Sequence, residues 1–464
     1  HLHLHLHLHL HLHIHIQLYT ERETWTRRFF VHESTFAFSM SNKLRCYGPS
    51  DGYLWLFMLA CINLCGGIIF GYNTGIVAGA EKAMATDFNM TPVNQGLVTC
   101  MLLIGAAVGA VSGGYVADRL GRRPTVFLCG AFTFVFALAS AAPPYLWLVA
   151  LLRVGVGLGV GLASSVCPLY IAEMTPIRHV EWIGVLFQLA ITIGILISYL
   201  VPLAVQDLWF DWQTMFAVGA VPGFWAIILS MTMPPSQMEA AEDGITEEEY
   251  RILTGNDPAS ETTSLLKEPV SDMEDEEPLK LHQPIKTSNN STAGAYAFLA
   301  LFGPGMLKRM LTALMLTIAL QLTGINSFLY YATDIFEQAG FSSNSLLPTV
   351  GIGAFQVVIT LAAIFIVKFF FPKYMLLTGL GCMTIASGLL GVLKFTLPPS
   401  DQAIPSVLFL CLFIVGFSIG PGSLFWVLLP QTFEDENRQA GASLFNAAQW
   451  TWNVLLSAAF PPLS

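Results

Sequence analysis

Apolar runs of about 20 residues recur along this chain, and each is long enough to cross a lipid bilayer as an α-helix. Only 11% of the 464 residues are charged, whereas an average soluble protein has about 25% charged residues. A water-soluble fold would have to hide all of the apolar runs in one core. The sequence therefore predicts an all-α, polytopic membrane protein.

A polar segment divides the predicted spans into a group of six and a group of five. Residues 1–50 are a cytoplasmic N-terminal segment, 51–233 carry six spans, 234–305 form an acidic linker, and 306–464 carry five spans. This order predicts two helical bundles, a common transporter design with a central site. The predicted spans are Tyr53–Ala78, Asn94–Ala117, Thr125–Ala141, Leu146–Val166, Trp182–Val205, Trp212–Met231, Met310–Thr333, Ser345–Val367, Tyr374–Leu397, Ile404–Leu429 and Gln439–Phe460.

The first sixteen residues, HLHLHLHLHLHLHIHI, alternate strictly between histidine and an aliphatic residue. Alternation is typical of a strand, and the imidazoles offer ligands for a metal ion. The favoured interpretation is a low-complexity segment without a folded role, because only its composition is unusual. We therefore predict no metal site.

Basic residues in the short loops predict the orientation of the chain in the membrane. Arg119, Arg122 and Arg123 follow the second span, and Lys308 and Arg309 precede the seventh. The opposite loops are poor in lysine and arginine. The N-terminus and the acidic linker are therefore predicted to face the cytoplasm.

Polar side chains inside membrane spans are costly and indicate function. Here they are mainly amides, hydroxyls and aromatic rings, without a carboxylate cluster for a cation or an arginine cluster for a phosphate. Amides donate and accept hydrogen bonds, as sugar hydroxyls do, so the set favours a neutral polyol. For any single residue, a hydrogen bond between helices, worth about 0.6 kcal/mol, is the alternative. The main positions are Asn73, Arg153, Gln188, Gln321, Asn326, Tyr330, Tyr331, Gln356, Thr360, Trp426, Gln449, Trp450 and Asn453.

Two further local motifs are glycine interruptions inside spans and a charged loop between spans. Gly324 and the Gly420–Gly422 segment interrupt spans seven and ten, which predicts either broken helices at a central site or simple packing kinks. The loop GGYVADRLGRRPT (Gly113–Thr125) sets Asp118 among arginines. Such a turn biases a gate between two states, and it also marks the cytoplasmic side; the two interpretations are compatible.

These motifs together resemble the sugar porters of the major facilitator superfamily, most closely the facilitative glucose transporters. The resemblance runs from about Tyr53 to the C-terminus without the linker, and it rests on FGYNTG, GGYVADRLGRR, LYIAEMTP, QLTGIN with two tyrosines, GPG with a tryptophan, and the Trp450/Asn453 segment. It implies the major facilitator fold, alternating access and a hexose site between the halves. The implied sugar contacts are Gln188, Gln321, Asn326, Gln356, Trp426 and Asn453. The implied cytoplasmic charge clips contain Asp118, Arg119, Arg122, Arg123, Arg153, Glu173 and Arg438.

The residue at position 73 favours passive transport. Proton-coupled members of the family place an aspartate where this chain has Asn73. An amide does not titrate and therefore cannot carry a proton. The alternatives are a proton-coupled sugar or polyol symporter, with inositol as one such polyol, and a relative that senses sugar without transporting it.

The sequence also departs from the family pattern in its second half. Leu320, Ser418 and Gln431 stand where the resemblance implies a glutamine, an acidic residue and a glutamate. The charge clip of this half is thus predicted to be degraded. A twelfth span is missing, so either the chain is incomplete or the protein has lost part of its second bundle.

The remaining expectations concern partners and location. The sequence has no nucleophile–base pair or metal-ligand set, so we expect no enzyme activity and no cofactor. We expect a sugar and the lipid bilayer as partners, no nucleic acid, a monomeric protein, and the plasma membrane as its location.

Overall fold

The computed structural model describes residues 52–175, 180–205, 211–233, 298–303, 305–330, 346–396, 398, 403–434 and 437–463. The predicted N-terminal segment, Tyr331 and nearly all of the linker lie outside these residues. Every regular element of the described part is helical, which confirms the all-α prediction. The helices are α1 Gly52–Gly75, α2 Val77–Phe88, α3 Pro92–Leu120, α4 Arg122–Ser140, α5 Leu146–Met174, α6 Val180–Val205, α7 Asp211–Val218, α8 Ala220–Thr232, α9 Leu307–Gln321, α10 Ile325–Tyr330, α11 Leu346–Ile366, α12 Pro372–Thr396, α13 Ala403–Ile419, α14 Pro421–Gln431 and α15 Arg438–Leu463.

In the described part of the chain, nine helical segments are long and apolar enough to cross a membrane. They correspond to predicted spans one to six and eight to ten. The seventh span is not among them because its helix is broken after Gln321 and its described part ends at Tyr330. The eleventh, α15, is also not among them, because the amides along it lower its hydropathy.

Helix α15 nevertheless runs antiparallel to α3 along most of its length. Gly114, near the end of α3, lies against Ser443, near the start of α15. At the other end, the Sγ atom of Cys100 lies 4.0 Å from the carbonyl oxygen of Val454. The helix therefore traverses the bundle with the other spans, and its amides Asn446, Gln449 and Asn453 are buried against protein. We call the end of the bundle that carries Arg122 the basic end, and the opposite end the far end.

The two halves of the chain meet along two groups of helices. Helix α3 packs against α15, and α6 packs against both α11 and α14. One apolar core runs through both halves and includes Phe70 and Phe187 of the first and Trp426 and Trp450 of the second. Large buried aromatic rings thus fill the space between the two bundles.

Both predicted interruptions are present as broken helices. Gly324 separates α9 from α10 and has a φ of +81°, a conformation that strongly favours glycine. Gly420 separates α13 from α14, and Pro421 begins the new helix, where its missing N–H group costs no intrahelical bond. Asn326, Leu329 and Tyr330 after the first break, and Trp426 after the second, line the region between the halves.

We expect Gly324→Ala to lower the free energy of unfolding by about 1–2 kcal/mol, because a non-glycine residue is strained at this φ. The added Cβ atom would meet no atom within 4 Å, so the effect isolates backbone conformation. Gly351→Ala in α11 is the control, since its Cβ also meets no atom within 4 Å and its backbone is helical. Unfolding of the purified protein in detergent measures both variants. Equal effects of the two substitutions would contradict the prediction.

Candidate functional site

A small buried cavity lies between the two halves. Helices α1 and α6 line it from the first half, and α9, α10, α11, α13, α14 and α15 line it from the second. Its volume is about 30 Å³. That is room for about two water molecules, so the cavity is contracted and far too small for a sugar ring.

Five of the six predicted sugar-contact residues line this cavity: Gln188, Gln321, Asn326, Gln356 and Trp426. The sixth, Asn453, is not part of the lining. It lies one helical turn from Gln449 toward the far end, and its Nδ2 atom donates to the hydroxyl of Tyr330 at 3.0 Å. Tyr330 itself lines the cavity, so Asn453 supports a lining residue from behind.

A chain of hydrogen-bonded amides lies along the side of the cavity formed by α9, α10 and α15. Asn326 donates to Oε1 of Gln321 at 2.7 Å, and Gln321 donates to Oε1 of Gln449. Gln449 in turn donates to Oδ1 of Asn446 at 3.2 Å. Gln321 and Gln449 each use both of their polar atoms, so these bonds hold the two side chains in one orientation.

Gln449 and Asn446 are the residues that the predicted site omitted. Gln449 lines the cavity, and Asn446 continues the amide chain by donating to Oγ of Ser164 and Ser165 at 3.0 and 2.8 Å. In the sequence, Gln449 could have been found as an amide inside span eleven beside Trp450. Asn446 could have been found only as another amide one helical turn earlier in the same span.

Aromatic rings form one wall of the cavity. Trp426 donates its indole N–H to Oε1 of Gln188 at 3.0 Å, a hydrogen bond that joins the two halves. Its ring meets Phe70 and Phe187 edge to face, with ring centroids 6.0 and 4.7 Å apart. Phe70 also packs on Trp450 at 4.6 Å. Phe70 and Trp426 therefore give the cavity aromatic surface beside polar groups, with Phe187 and Trp450 packed behind them. Such a surface suits a ligand that has both apolar faces and hydroxyl groups.

Gln356 differs from the other amides because it is fully buried and unsatisfied. Its exposed fraction is 0%, and neither its Nε2 nor its Oε1 atom has a hydrogen-bond partner in the described structure. Each such buried polar group costs about 1–3 kcal/mol. Both polar atoms of Gln356 are therefore available to water or to a ligand in the cavity.

Three of the predicted charge-clip residues meet at the basic end. Arg122 donates to Glu173 at 2.7 and 3.2 Å and to Asp118 at 3.2 Å, and also to the carbonyl oxygen of Ala117 at 2.8 Å. Arg122 is mostly buried, whereas the two carboxylates are partly exposed. This cluster ties the ends of α3, α4 and α5 together.

The other predicted clip arginines, Arg119, Arg123 and Arg438, also lie at the basic end. The guanidinium of Arg119 lies over the ring of Tyr115, 4.5 Å from the ring centroid. Arg123 is the second residue of α4, and Arg438 is the first residue of α15. Both therefore begin helices at the basic end, as the clip interpretation requires.

The structure corrects the assignment of Arg153 to the cytoplasmic clip. Arg153 and Glu173 lie on the same helix, 20 residues and therefore about 30 Å apart. Arg153 is 1% exposed; it donates to the carbonyl oxygen of Asn73 at 2.6 Å, and its guanidinium lies 4.7 Å from the ring centroid of Phe216. It belongs to the interior near the far end, beside the residue whose identity bears on coupling.

Hydrogen bonds join the two halves on both sides of the cavity. At the far end, the hydroxyl of Tyr199 donates to the carbonyl oxygen of Leu329 at 2.8 Å. At the basic end, Gln439 of α15 accepts a hydrogen bond from Arg122 at 2.6 Å. These contacts are in keeping with the small volume of the cavity.

Among the described residues, no group of three or more histidine, cysteine or acidic side chains is arranged to hold a metal ion. The lining of the described cavity contains amides, hydroxyls and aromatic rings but no ionisable carboxylate or amine. These residues can therefore contact a ligand through hydrogen bonds and through stacking on aromatic rings.

Comparison with known proteins gives consistent matches. A family model described as sugar (and other) transporter matches residues 59–464. The D-xylose transporter of Levilactobacillus brevis is 30% identical over 416 residues, which cover 89% of this chain and 86% of that protein. The glucose transporter GlcP of Staphylococcus epidermidis is 31% identical over 409 residues, which cover 88% and 87% of the two chains.

A solved structure shows the same architecture. The proton:xylose symporter XylE of the major facilitator superfamily, bound to 6-bromo-6-deoxy-D-glucose, superposes with a TM-score of 0.74 at 27% identity. The superposition covers 89% of this chain and 89% of that chain. It confirms the predicted major facilitator fold.

We expect Gln356→Leu to raise the free energy of unfolding of the ligand-free protein by about 1–3 kcal/mol, because it removes a buried amide that has no partner. Gln449→Leu is the matched control. It leaves Nε2 of Gln321 and Oδ1 of Asn446 without their partner and is expected to lower the free energy of unfolding by a similar amount. Unfolding of the two purified variants in detergent measures these changes, which should have opposite signs. Destabilisation by both changes would show that Gln356 is satisfied in the native protein.

Proposed function

The chain belongs to the sugar (and other) transporter family and is a multi-pass membrane protein of the major facilitator superfamily. We propose that it carries a glucose-like hexose across the plasma membrane by facilitated diffusion. The observation that carries the proposal is the cavity between the halves. It combines four glutamine side chains and one asparagine with an aromatic wall, and it holds an amide without a partner.

The residue types of the cavity match the chemistry of a hexose. Amides donate and accept hydrogen bonds, so they pair with hydroxyl groups in either direction. Trp426 offers an indole N–H beside an apolar ring face, which suits the C–H face of a sugar. Gln356 offers both of its polar atoms to the ligand. The glucose and xylose transporters among the relatives support a sugar of this size class.

The small volume of the cavity supports alternating access. The cavity must expand and one end must open before a hexose enters, because the present volume of about 30 Å³ holds only water. The broken helices at Gly324 and Gly420 lie beside the cavity and give α10 and α14 the freedom to move relative to α9 and α13. Rocking of the two halves around the cavity then exposes it to each side in turn.

The environment of Asn73 supports passive transport. Its side-chain Nδ2 donates to the carbonyl oxygen of Ile69 at 3.0 Å, and its backbone oxygen accepts from Arg153. An amide at this position neither takes up nor releases a proton. The described lining of the cavity adds no titratable carboxylate.

Two other functions have specific support. Proton-coupled transport of a sugar or polyol is favoured by the similarity to a proton:xylose symporter. A sugar sensor that binds without transport is favoured by Leu320, Ser418 and Gln431, the departures from the family pattern in the second half. Accumulation against a gradient distinguishes the first alternative, and binding without flux distinguishes the second.

The test of transport is uptake of labelled D-glucose into proteoliposomes, with and without an imposed proton gradient. We expect saturable uptake that stops at equal concentrations and does not respond to the gradient. Protein-free liposomes are one control. Unlabelled L-glucose, which should not compete with D-glucose for uptake, is the other. Accumulation that requires the gradient would overturn the passive mechanism, and binding without uptake would favour the sensor.

We expect Trp426→Ala and Gln321→Ala each to weaken sugar binding by about tenfold, equivalent to about 1.4 kcal/mol. Each removes a side chain that lines the cavity, whereas insertion into the membrane depends on the whole span. Trp147→Ala and Gln431→Ala are the matched controls, because both side chains are exposed and away from the cavity. Titration of the purified variants with sugar measures the affinities. Unchanged affinity in both cavity variants would refute the site assignment.

A further inference from the structure

We propose that Gln439 is a latch between the two halves, an uncharged side chain that holds the basic end closed and is released when the cavity opens to that side. The inference rests on the proposed alternating access. It concerns which residue controls the gate, a role that neither the sugar-contact set nor the charge clip includes.

Gln439 uses both of its polar atoms across the boundary between the halves. Its Oε1 atom accepts from Nη2 of Arg122 at 2.6 Å, and its Nε2 atom donates to the carbonyl oxygen of Gly114 at 2.6 Å. Arg122 and Gly114 belong to α4 and α3 of the first half, whereas Gln439 belongs to α15 of the second. A single side chain therefore ties α15 to two helices of the opposite bundle.

Among the residues that the structure describes, the charged partners of Arg122 lie in its own half. Asp118 and Glu173 neutralise the arginine within the first bundle. These ion pairs remain intact when the halves separate, so they organise the basic end without closing it. Among the described partners of Arg122, only Gln439 comes from the second half.

An uncharged latch suits a gate that must open in every transport cycle. When Gln439 leaves Arg122, no unpaired buried charge remains, because the two carboxylates stay with the arginine. Breaking an ion pair across the same boundary would leave a charge without its partner, which is much more costly. Water replaces the two hydrogen bonds of the amide as the end opens.

The packing around Gln439 makes the closure tight. One turn along α15, Ser443 lies directly against Gly114, and a Cβ atom built on that glycine would lie 2.3 Å from Oγ of Ser443. The next turn places Asn446 in hydrogen bonds to Ser164 and Ser165. Residues spaced by four and three positions share one face of a helix, so these three side chains of α15 face the first half together.

A second contact between the halves lies at the same end. The ammonium group of Lys368 lies 5.3 Å from the ring centroid of Trp182. Lys368 follows α11 and Trp182 lies near the start of α6. Loss of Gln439 should therefore shift the equilibrium between the closed and open ends without separating the halves completely.

The first test is hydrogen–deuterium exchange of the full-length protein in lipid nanodiscs, comparing wild type with Gln439→Ala. We expect amides at 113–123 and 438–446 to exchange about three- to tenfold faster in the variant, because two hydrogen bonds across the boundary are lost. Amides near Cys100 and Val454 at the far end should be unchanged. Gln431→Ala, an exposed glutamine of the second half that also lies at the basic end, is the control and should exchange like wild type.

A second variant tests the same closure from the opposite half without removing a polar group. Gly114→Ala inserts a methyl group where Ser443 packs, so we expect the same increase in exchange at the basic end. The double variant Gly114→Ala with Ser443→Gly removes the clash and should return exchange toward the wild-type rate. Rescue by the double variant identifies close packing at this position as the cause.

The outcomes separate the latch from a general structural role and from the proposed function. Unchanged exchange in Gln439→Ala, or an increase spread over both ends of the protein, would overturn the latch. An increase confined to the basic end supports it, whichever substrate the protein carries. Because exchange is measured without sugar, failure of the glucose uptake experiment would reject the proposed function and leave this result standing.

Discussion

An amide that leaves water must find hydrogen-bond partners, and the interior of this bundle contains a connected set of amides that do so through one another. Asn326, Gln321, Gln449 and Asn446 form a continuous chain within the second half. Asn446 then crosses the boundary between the halves by donating to Ser164 and Ser165. Each bond is favoured because the apolar surroundings offer few other partners. The chain positions α9, α10 and α15 around the cavity, and Gln356 is the one lining amide that it leaves unsatisfied.

The same constraint explains why the structure closes around a nearly empty cavity. In this structure the indole of Trp426 binds Gln188, and the amides bind each other, so few polar groups in the cavity lack partners. A hexose, the substrate proposed above, would replace some of these bonds with bonds to its own hydroxyl groups.

The buried arginines differ from the buried amides in the partners that they bind. At the basic end, Arg122 is neutralised within its own half, and the link to the other half is uncharged. Near the far end, Arg153 is buried beside Asn73, where its guanidinium binds a backbone oxygen and lies over an aromatic ring. Among the described residues, neither Arg122 nor Arg153 forms an ion pair across the boundary between the halves.

The class of fold and the interruptions at Gly324 and Gly420 follow from apolar run length and glycine, which are local signals, although the sequence left open whether the interruptions break the helices. The polar residues that line most of the cavity also stand out in the sequence. The sequence did not place Arg153 or Asn453, and it named Gln449 as a polar span residue without assigning it to the sugar-contact set. Only the packing of helices decides which side of a span meets the cavity, and how far along the bundle a residue lies. Arg153 and Glu173 share one helix, yet its length of about 44 Å sets them at opposite ends. The contact of Gln439 with Arg122 is likewise a tertiary outcome, since 317 residues separate the two positions in the chain.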